Sequence, residues 1–320
     1  MSTKNIHTPL FAGLDIGGTK IEALLVDAGM TVLAQARHAT NVSHPDNLVA
    51  SAVAAIDDVL QQAQANREQL AGIGIGIPGQ VNPATGDVAL AVNLNLTAYP
   101  LGEVMSTQLN TPIRLENDLN IAALGVYRWL NEQGPVDNIA YLSLGTGVAA
   151  GVVLNGRLYR GSNGMAGEIG HITVEPEGAL CNCGARGCLE TIISGTAIVK
   201  QALATVQLDM PAKQVHAGHV FAAAANGNAA AQTLVARIAD YTSRAIQYLI
   251  MTYDVDKVVL GGGVSGAGDA FLTPVLQALA TLRAQSDLFN TMLPASKITL
   301  LPKGYNAGVW GAVYLARNQK

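Results

Sequence analysis

The chain has 320 residues, of which 49% are hydrophobic and 13% charged, with a formal net charge of −4. That composition excludes a disordered chain and allows two moderate domains, while the weakly acidic balance without basic runs excludes an electrostatic footprint for nucleic acid or an anionic membrane. The first eight residues are polar and hold no apolar signal core, residues 139–154 are too short and glycine-rich to span a bilayer, and three cysteines within residues 181–188 fit metal ligation in a reducing compartment, so a soluble cytoplasmic protein is expected.

Residues 10–14 read as a buried strand running into Asp15-Ile16-Gly17-Gly18-Thr19-Lys20, followed by strands at 21–26 and 31–36. A turn of Gly17, Gly18 and Thr19 exposes consecutive backbone N–H groups and lets an anion approach, with Thr19 adding a hydroxyl and Lys20 a positive charge. Asp15, at the strand end, is placed to hold a magnesium ion through water. The plain alternative is that the glycines only make a hairpin turn. Residues 45–64 have helical spacing, with Leu48, Val49, Val53, Ile56, Val59 and Leu60 on one face. Residues 72–77 alternate glycine and isoleucine and stop at Pro78-Gly79, a strand meeting a tight turn.

A short strand at 113–115 leads through Glu116-Asn117-Asp118 into a helix that Gly134-Pro135 ends. Asp118 at a helix N-terminus is either a cap or a general base for a substrate hydroxyl, and Asn117 offers both a donor and an acceptor to a sugar hydroxyl. Residues 14–27 then recur, in pattern, at 142–155, an offset of 128 residues. Both copies read strand, small-residue hairpin, strand, so two related domains facing a cleft are expected. The second hairpin, Gly145-Thr146-Gly147, offers another phosphate nest.

Gly167-Glu168-Ile169-Gly170-His171 precedes a run holding Cys181, Cys183, Cys188 and Glu190. Three thiolates and one imidazole make a closed tetrahedral zinc set, which leaves no open position for catalysis by the metal. A ligated histidine keeps its other ring nitrogen for a hydrogen bond, so Glu168, His171 and Glu190 together suit a polyol. Residues 229–253 form a long helix, 257–260 a short strand ending at Gly261-Gly262-Gly263, where an adenosine can approach closely, and 307–316 a last helix.

Asp15-x-Gly-Gly-Thr-Lys20, Glu116-Asn-Asp118, Leu144-Gly-Thr-Gly147, Gly167-Glu-Ile-Gly-His171, the cysteine run to Glu190 and Gly261-Gly-Gly263 resemble, in order and over almost the whole chain, the ROK family of sugar kinases. The resemblance implies an α/β, actin-like two-domain fold with a cleft between duplicated domains, divided as 1–117 plus 307–320 and 118–306. It also implies ATP and magnesium as cofactors, Asp118 as catalytic base, and Asn117, Glu168, His171 and Glu190 as sugar ligands. Gly79 and Asn93 resemble further sugar-contacting positions. The stretch around His171 is similar to the glucokinase subgroup, which implies glucose as substrate; N-acetylmannosamine, N-acetylglucosamine and fructose kinases, and a non-catalytic sugar-binding regulator, are the alternatives. The family implies a homodimer or homotetramer. Asn306 stands where many members carry Asp, and Asn182 where glycine is common.

Overall fold

The computed structural model, which describes residues 9–317, gathers the strands and helices read from the sequence into two units. In the first unit lie β1 (Leu10–Ile16), β2 (Lys20–Val26), β3 (Val32–Ala39), α1 (Pro45–Gln62), β4 (Leu70–Ile77), β5 (Gln80–Asn82), β6 (Asp87–Ala91), β7 (Leu96–Tyr99), α2 (Leu101–Leu109), β8 (Ile113–Asn117) and α3 (Asp118–Asn131). Its main sheet has the order β3-β2-β1-β4-β8, antiparallel from β3 to β1 and parallel from β1 to β8. Buried on α1 are Leu48, Val49, Ala52, Ala55, Ile56, Val59 and Leu60, the apolar stripe expected from its spacing, with Val53 half-buried at its edge. Strands β5 to β7 make a small antiparallel sheet beside it.

The second unit contains β9 (Ile139–Leu144), β10 (Val148–Leu154), β11 (Arg157–Leu158), α4 (Glu190–Ile193), α5 (Gly195–Thr205), α6 (Ala217–Ala225), α7 (Ala229–Tyr253), β12 (Lys257–Gly261), α8 (Asp269–Arg283), α9 (Asp287–Met292) and β13 (Ile298–Leu300). Its sheet runs β11-β10-β9-β12-β13 with the same sense of each pairing as the first. The hairpins that the sequence repeat aligned, β1–β2 and β9–β10, hold equivalent places in the two sheets. Its core is helical as much as sheet-like: α6, α7 and α8 pack together, and the rings of Phe221 and Phe271 meet edge to face at 5.6 Å.

The units divide at Pro135/Val136, and Arg160–Gly164 and the chain from Asn306 belong with the first. The expected border fell at 117/118, which would have sent α3 to the second domain. Instead α3 packs on the C-terminal helix (Ala307–Arg317): Arg128 stacks its guanidinium 3.7 Å from the Trp310 ring centre, and Tyr127 meets Tyr314 edge-on at 6.2 Å. The expected final segment 307–320 extends past the described residues, as does the polar start of the chain.

The two helices approach so closely that a Cβ on Gly311 would sit 1.6 Å from the Ile121 carbonyl oxygen. Backbone cannot yield there as a side-chain tip would. Gly311→Ala is therefore expected to destabilise the fold by about 3 kcal/mol or more. A urea midpoint within experimental scatter of the parent's would contradict this packing.

Candidate active site

The strand–turn–helix at the end of β8 positions the acid that the sequence singled out. Asn117, not Asp118, is the N-cap of α3: its side-chain oxygen accepts the amides of Leu119 at 2.9 Å and Asn120 at 3.3 Å. Asp118 is thereby released from capping duty to stand at the first helical position, one Oδ1 accepting from the Leu119 amide at 2.9 Å. The Asn117 amide nitrogen donates to the Gly79 carbonyl at 3.0 Å, so both ends of that side chain brace the turn. Gly79 itself sits at φ +107°, and a Cβ there would lie 2.2 Å from the Leu90 carbonyl oxygen.

Burial pushes the Asp118 carboxyl above the ordinary carboxylate range, its helical hydrogen bonds opposing only in part. Asp15, at the end of β1, is pushed up to about 6 from 3.8, by burial first and by the charge of Asp118 second, with Lys20 opposing. A carboxyl raised by burial and by a neighbouring carboxylate's charge is one that a dication would relieve. Asp15 is also crowded from below, since a Cβ on Gly308 would lie 2.2 Å from its Oδ2. Asn306, where the family pattern has Asp, accepts the Val309 amide at 3.2 Å at the start of the C-terminal helix, a capping task that Asn performs as well as Asp.

The raised Asp15 pKa has a consequence for stability. Below 3.8 the carboxyl is protonated folded or unfolded; above about 6 it is ionised in both, and only the folded state bears the cost of burying the charge. Its contribution is thus lost as pH rises through that window, by up to roughly 3 kcal/mol. Asp15→Asn is expected to raise the melting temperature relative to the parent at pH 7.5 in metal-free buffer, and not at pH 4. An equal shift at both pH values would contradict the assignment.

The first hairpin turns at the expected residues, but the Gly17 amide is spent inside it, against the expectation that all three amides face an anion. Gly17 N–H donates to the Lys20 carbonyl at 2.9 Å, the Thr40 hydroxyl donates to the Gly17 carbonyl at 2.7 Å, and the Thr40 amide to the Thr19 carbonyl at 3.1 Å. The amides of Gly18 and Thr19 take no part in those bonds. A Cβ on Gly18 would be 3.1 Å from the Asn93 carbonyl oxygen, so exposed Asn93 abuts this turn. Lys20 is less available than its place in the motif suggested: Nζ donates to Glu22 at 2.8 Å, two residues along the same face of β2.

In the second unit, the Gly145 amide donates to the Gly147 carbonyl at 2.9 Å to close the second hairpin. Glu190, at the start of α4, accepts the Val148 amide at 2.9 Å, and a Cβ on Gly147 would stand 2.6 Å from its Oε2. Glycine at 147 therefore lets this carboxylate lie directly under the hairpin. Glu190 so ties the cysteine run to the nest two strands away in sequence.

The donor atoms of His171, Cys181, Cys183 and Cys188 all lie within 4.8 Å of one another, with Cys181 Sγ 3.7 Å from His171 Nδ1 and Cys183 Sγ 3.6 Å from Cys188 Sγ. A tetrahedral zinc with Zn–S near about 2.3 Å and Zn–N near about 2.0 Å sets ligand–ligand edges of roughly 3.5–3.8 Å, so the four residues fit that ion. Burial and the neighbouring sulfurs push the Cys188 thiol up to about 12, a cost that a dication binding the thiolates would remove. Nδ1 is the ring nitrogen turned to the cysteines; Nε2 faces outward, 3.9 Å from Glu168 Oε2, on an exposed edge. The loop is pinned to the helices by Glu175, which accepts from Arg237 and from the Tyr241 hydroxyl, each at 2.6 Å.

Gly261 and Gly262 are close-packed on β9, Gly261 against the Tyr141 ring and Gly262 (φ +81°) against the Leu144 backbone. Gly263 opens instead onto a cavity of about 690 Å3 lined by Gly145, Thr146, Thr196, Val199, His216 and Val264, among others. That volume suits a small-molecule ligand such as a nucleoside. Sequence reasoning missed Thr196, Val199 and His216. The signal available was faint: Ser194 caps α5, accepting the Ala197 amide at 3.2 Å, and His216 precedes α6, and both positions read only as ordinary helix starts.

Comparison with known proteins gives concordant results. The ROK family model matches residues 11–319. A glucokinase of Halalkalibacterium halodurans is 36% identical, the alignment covering 97% of this chain and 96% of that protein. Among solved structures, a ROK hexokinase from Thermus thermophilus superposes with a TM-score of 0.80 at 30% identity, covering 96% of this chain and 98% of its own. A ROK family glucokinase from Streptomyces griseus, solved in complex with glucose and AMPPNP, gives a TM-score of 0.73 at 30% identity, covering 96% and 99%.

Proposed function

Because the chain belongs to the ROK family, with the actin-like two-domain fold of its members, we propose that it is an ATP-dependent hexose kinase that phosphorylates the 6-hydroxyl of glucose. The observation that carries this reading is the desolvated Asp118 carboxylate, freed from capping by Asn117 and set beside Asp15. A carboxylate with a raised pKa is the better proton acceptor.

In the first unit, Asp118 takes the proton of the attacking hydroxyl, and Asn93, Gly79 and the Nδ2 hydrogen of Asn117 that is not given to the Gly79 carbonyl bind the sugar. Asp15 would hold magnesium through water, and Gly17, Gly18, Thr19 and Lys20 would face the phosphates. In the second unit, Glu168, His171 and Glu190 are the hydroxyl partners. Thr146 and Gly147 would offer backbone N–H groups to phosphate oxygens, with Gly145 shaping the turn by its own bond to Gly147, and Gly261, Gly262 and Gly263 border the nucleoside. Magnesium, when bound, screens the charge that builds on the transferring phosphoryl group.

Zinc on His171, Cys181, Cys183 and Cys188 would be structural: it fixes the imidazole through Nδ1 and leaves Nε2 to a sugar hydroxyl. The reading carries with it a cytoplasmic enzyme that forms homodimers or homotetramers.

A coupled ADP-release assay across hexoses tests it. Turnover is expected with glucose above N-acetylmannosamine, N-acetylglucosamine and fructose. Preference for one of those would move the substrate assignment, and no sugar-dependent ADP release would leave a sugar-binding regulator as the better reading.

A further inference from the structure

Beside the proposed base lies a buried carboxylate to which the mechanism assigns nothing. Glu116 is 2% exposed, at the end of β8. Its Oε1 accepts two donors from the capping turn of α3, the Asn117 amide at 3.0 Å and Asn120 Nδ2 at 2.9 Å. Asp118 stands between those two donors in the chain. The other carboxylate oxygen of Glu116, Oε2, accepts from Arg160 Nε at 2.6 Å. Among the described residues no other cation stands within ion-pair distance of Glu116.

Arg160 reaches this site from an unusual position. It opens the segment Arg160–Gly164, which belongs with the first unit although the chain on either side of it belongs with the second. The Arg160–Glu116 ion pair is one bond that ties this short piece to the first unit.

We infer that Arg160 is a positioning residue for the phosphoryl-transfer reaction, acting through Glu116 to hold the Asn117–Asn120 turn and hence the Asp118 carboxylate in place. The inference rests on the reading of Asp118 as base. Its physical basis is that a buried carboxylate is costly unless paired. Without Arg160, Glu116 is a buried carboxylate without its cation, and the rearrangement that brings it another donor or water disturbs the two bonds its Oε1 makes to the turn. The bond Arg160 makes is to Glu116, a residue assigned to neither sugar nor nucleotide, so its effect should fall on turnover rather than binding.

The test is steady-state kinetics of R160M, R160K, E116Q and the double variant E116Q/R160M, with a melting curve for each. R160M is expected to lose roughly 10- to 100-fold in kcat, as small misplacements of a reacting group do, with KM for ATP within about twofold of the parent. The amide in E116Q can still accept from Asn117 and Asn120 while bearing no charge, so the double variant should be faster than R160M alone, whatever its melting temperature. R160K, which keeps the charge at altered geometry, should fall between. If R160M does not fold, the comparison of R160K with its E116Q double carries the same prediction.

Parent-like kcat in R160M, or a double variant no faster than R160M, overturns the inference. An inert Asp118→Asn with a parent-like R160M would sink this inference alone. An active Asp118→Asn would sink the base assignment, whatever Arg160 does.

Discussion

Asp118→Asn is expected to lower kcat for glucose phosphorylation by about three orders of magnitude, in the range that a positioned general base contributes. The substitution is close to isosteric. Its amide oxygen can keep the bond from the Leu119 amide, and the cap is made by Asn117, so α3 should start where it does now. What disappears is the basic oxygen. Removing the charge also relieves Asp15, whose pKa Asp118 helps to raise, so the variant should be at least as stable as the parent at neutral pH. Glucose affinity, measured by calorimetry, should change little. Retention of more than about a tenth of normal turnover would count against the base assignment.

The second large effect is expected at the cluster of His171, Cys181, Cys183 and Cys188. Cys188 is fully buried, its sulfur 3.6 Å from that of Cys183. Cys188→Ser removes one of four donors and leaves a hydroxyl in a pocket shaped for sulfur. Structural zinc sites contribute several kcal/mol or more to folding, so metal content, melting temperature and sugar affinity should fall together. The coupling follows from the chain. His171 is held at Nδ1, and Glu190 follows the last cysteine by two residues while accepting the Val148 amide under the second hairpin. A rise in KM for glucose of about 100-fold is expected, as for loss of groups that orient a metal site, with a smaller change in KM for ATP. Metal analysis by atomic absorption checks the premise apart from activity. Unchanged glucose KM in a demonstrably metal-free variant would separate the loop from sugar binding.

Much of this was legible in the sequence because it is local. The hairpins, the apolar stripe of α1 and the length of α7 each follow from periodicity and punctuation within a few residues. The repeat between 14–27 and 142–155 disclosed a topology that the two sheets share strand by strand. His171, Cys181, Cys183 and Cys188, which the structure brings together, fall within eighteen residues, and their chemical types alone marked them as a candidate cluster. What stayed hidden depends on distant segments. That α3 belongs with the C-terminal helix is decided by Gly311 facing Ile121 and Arg128 facing Trp310, contacts across almost 200 positions. That Lys20 answers Glu22, and that Asn117 spends both ends of its side chain on the turn, are choices among partners that no spacing announces. Arg160 finds Glu116 44 residues away. The nucleoside-sized cavity is assembled from four separate stretches, so His216 carries no signature of its own.

The most direct test of the central claim is product analysis by phosphorus NMR, with glucose and 6-deoxyglucose each supplied with ATP and magnesium. The parent chain is expected to give glucose 6-phosphate and equimolar ADP from glucose and no sugar phosphate from 6-deoxyglucose, and Asp118→Asn to form glucose 6-phosphate about three orders of magnitude more slowly. Phosphate ester formed at any position of 6-deoxyglucose, or glucose 6-phosphate formed at the parent's rate by Asp118→Asn, would contradict that claim.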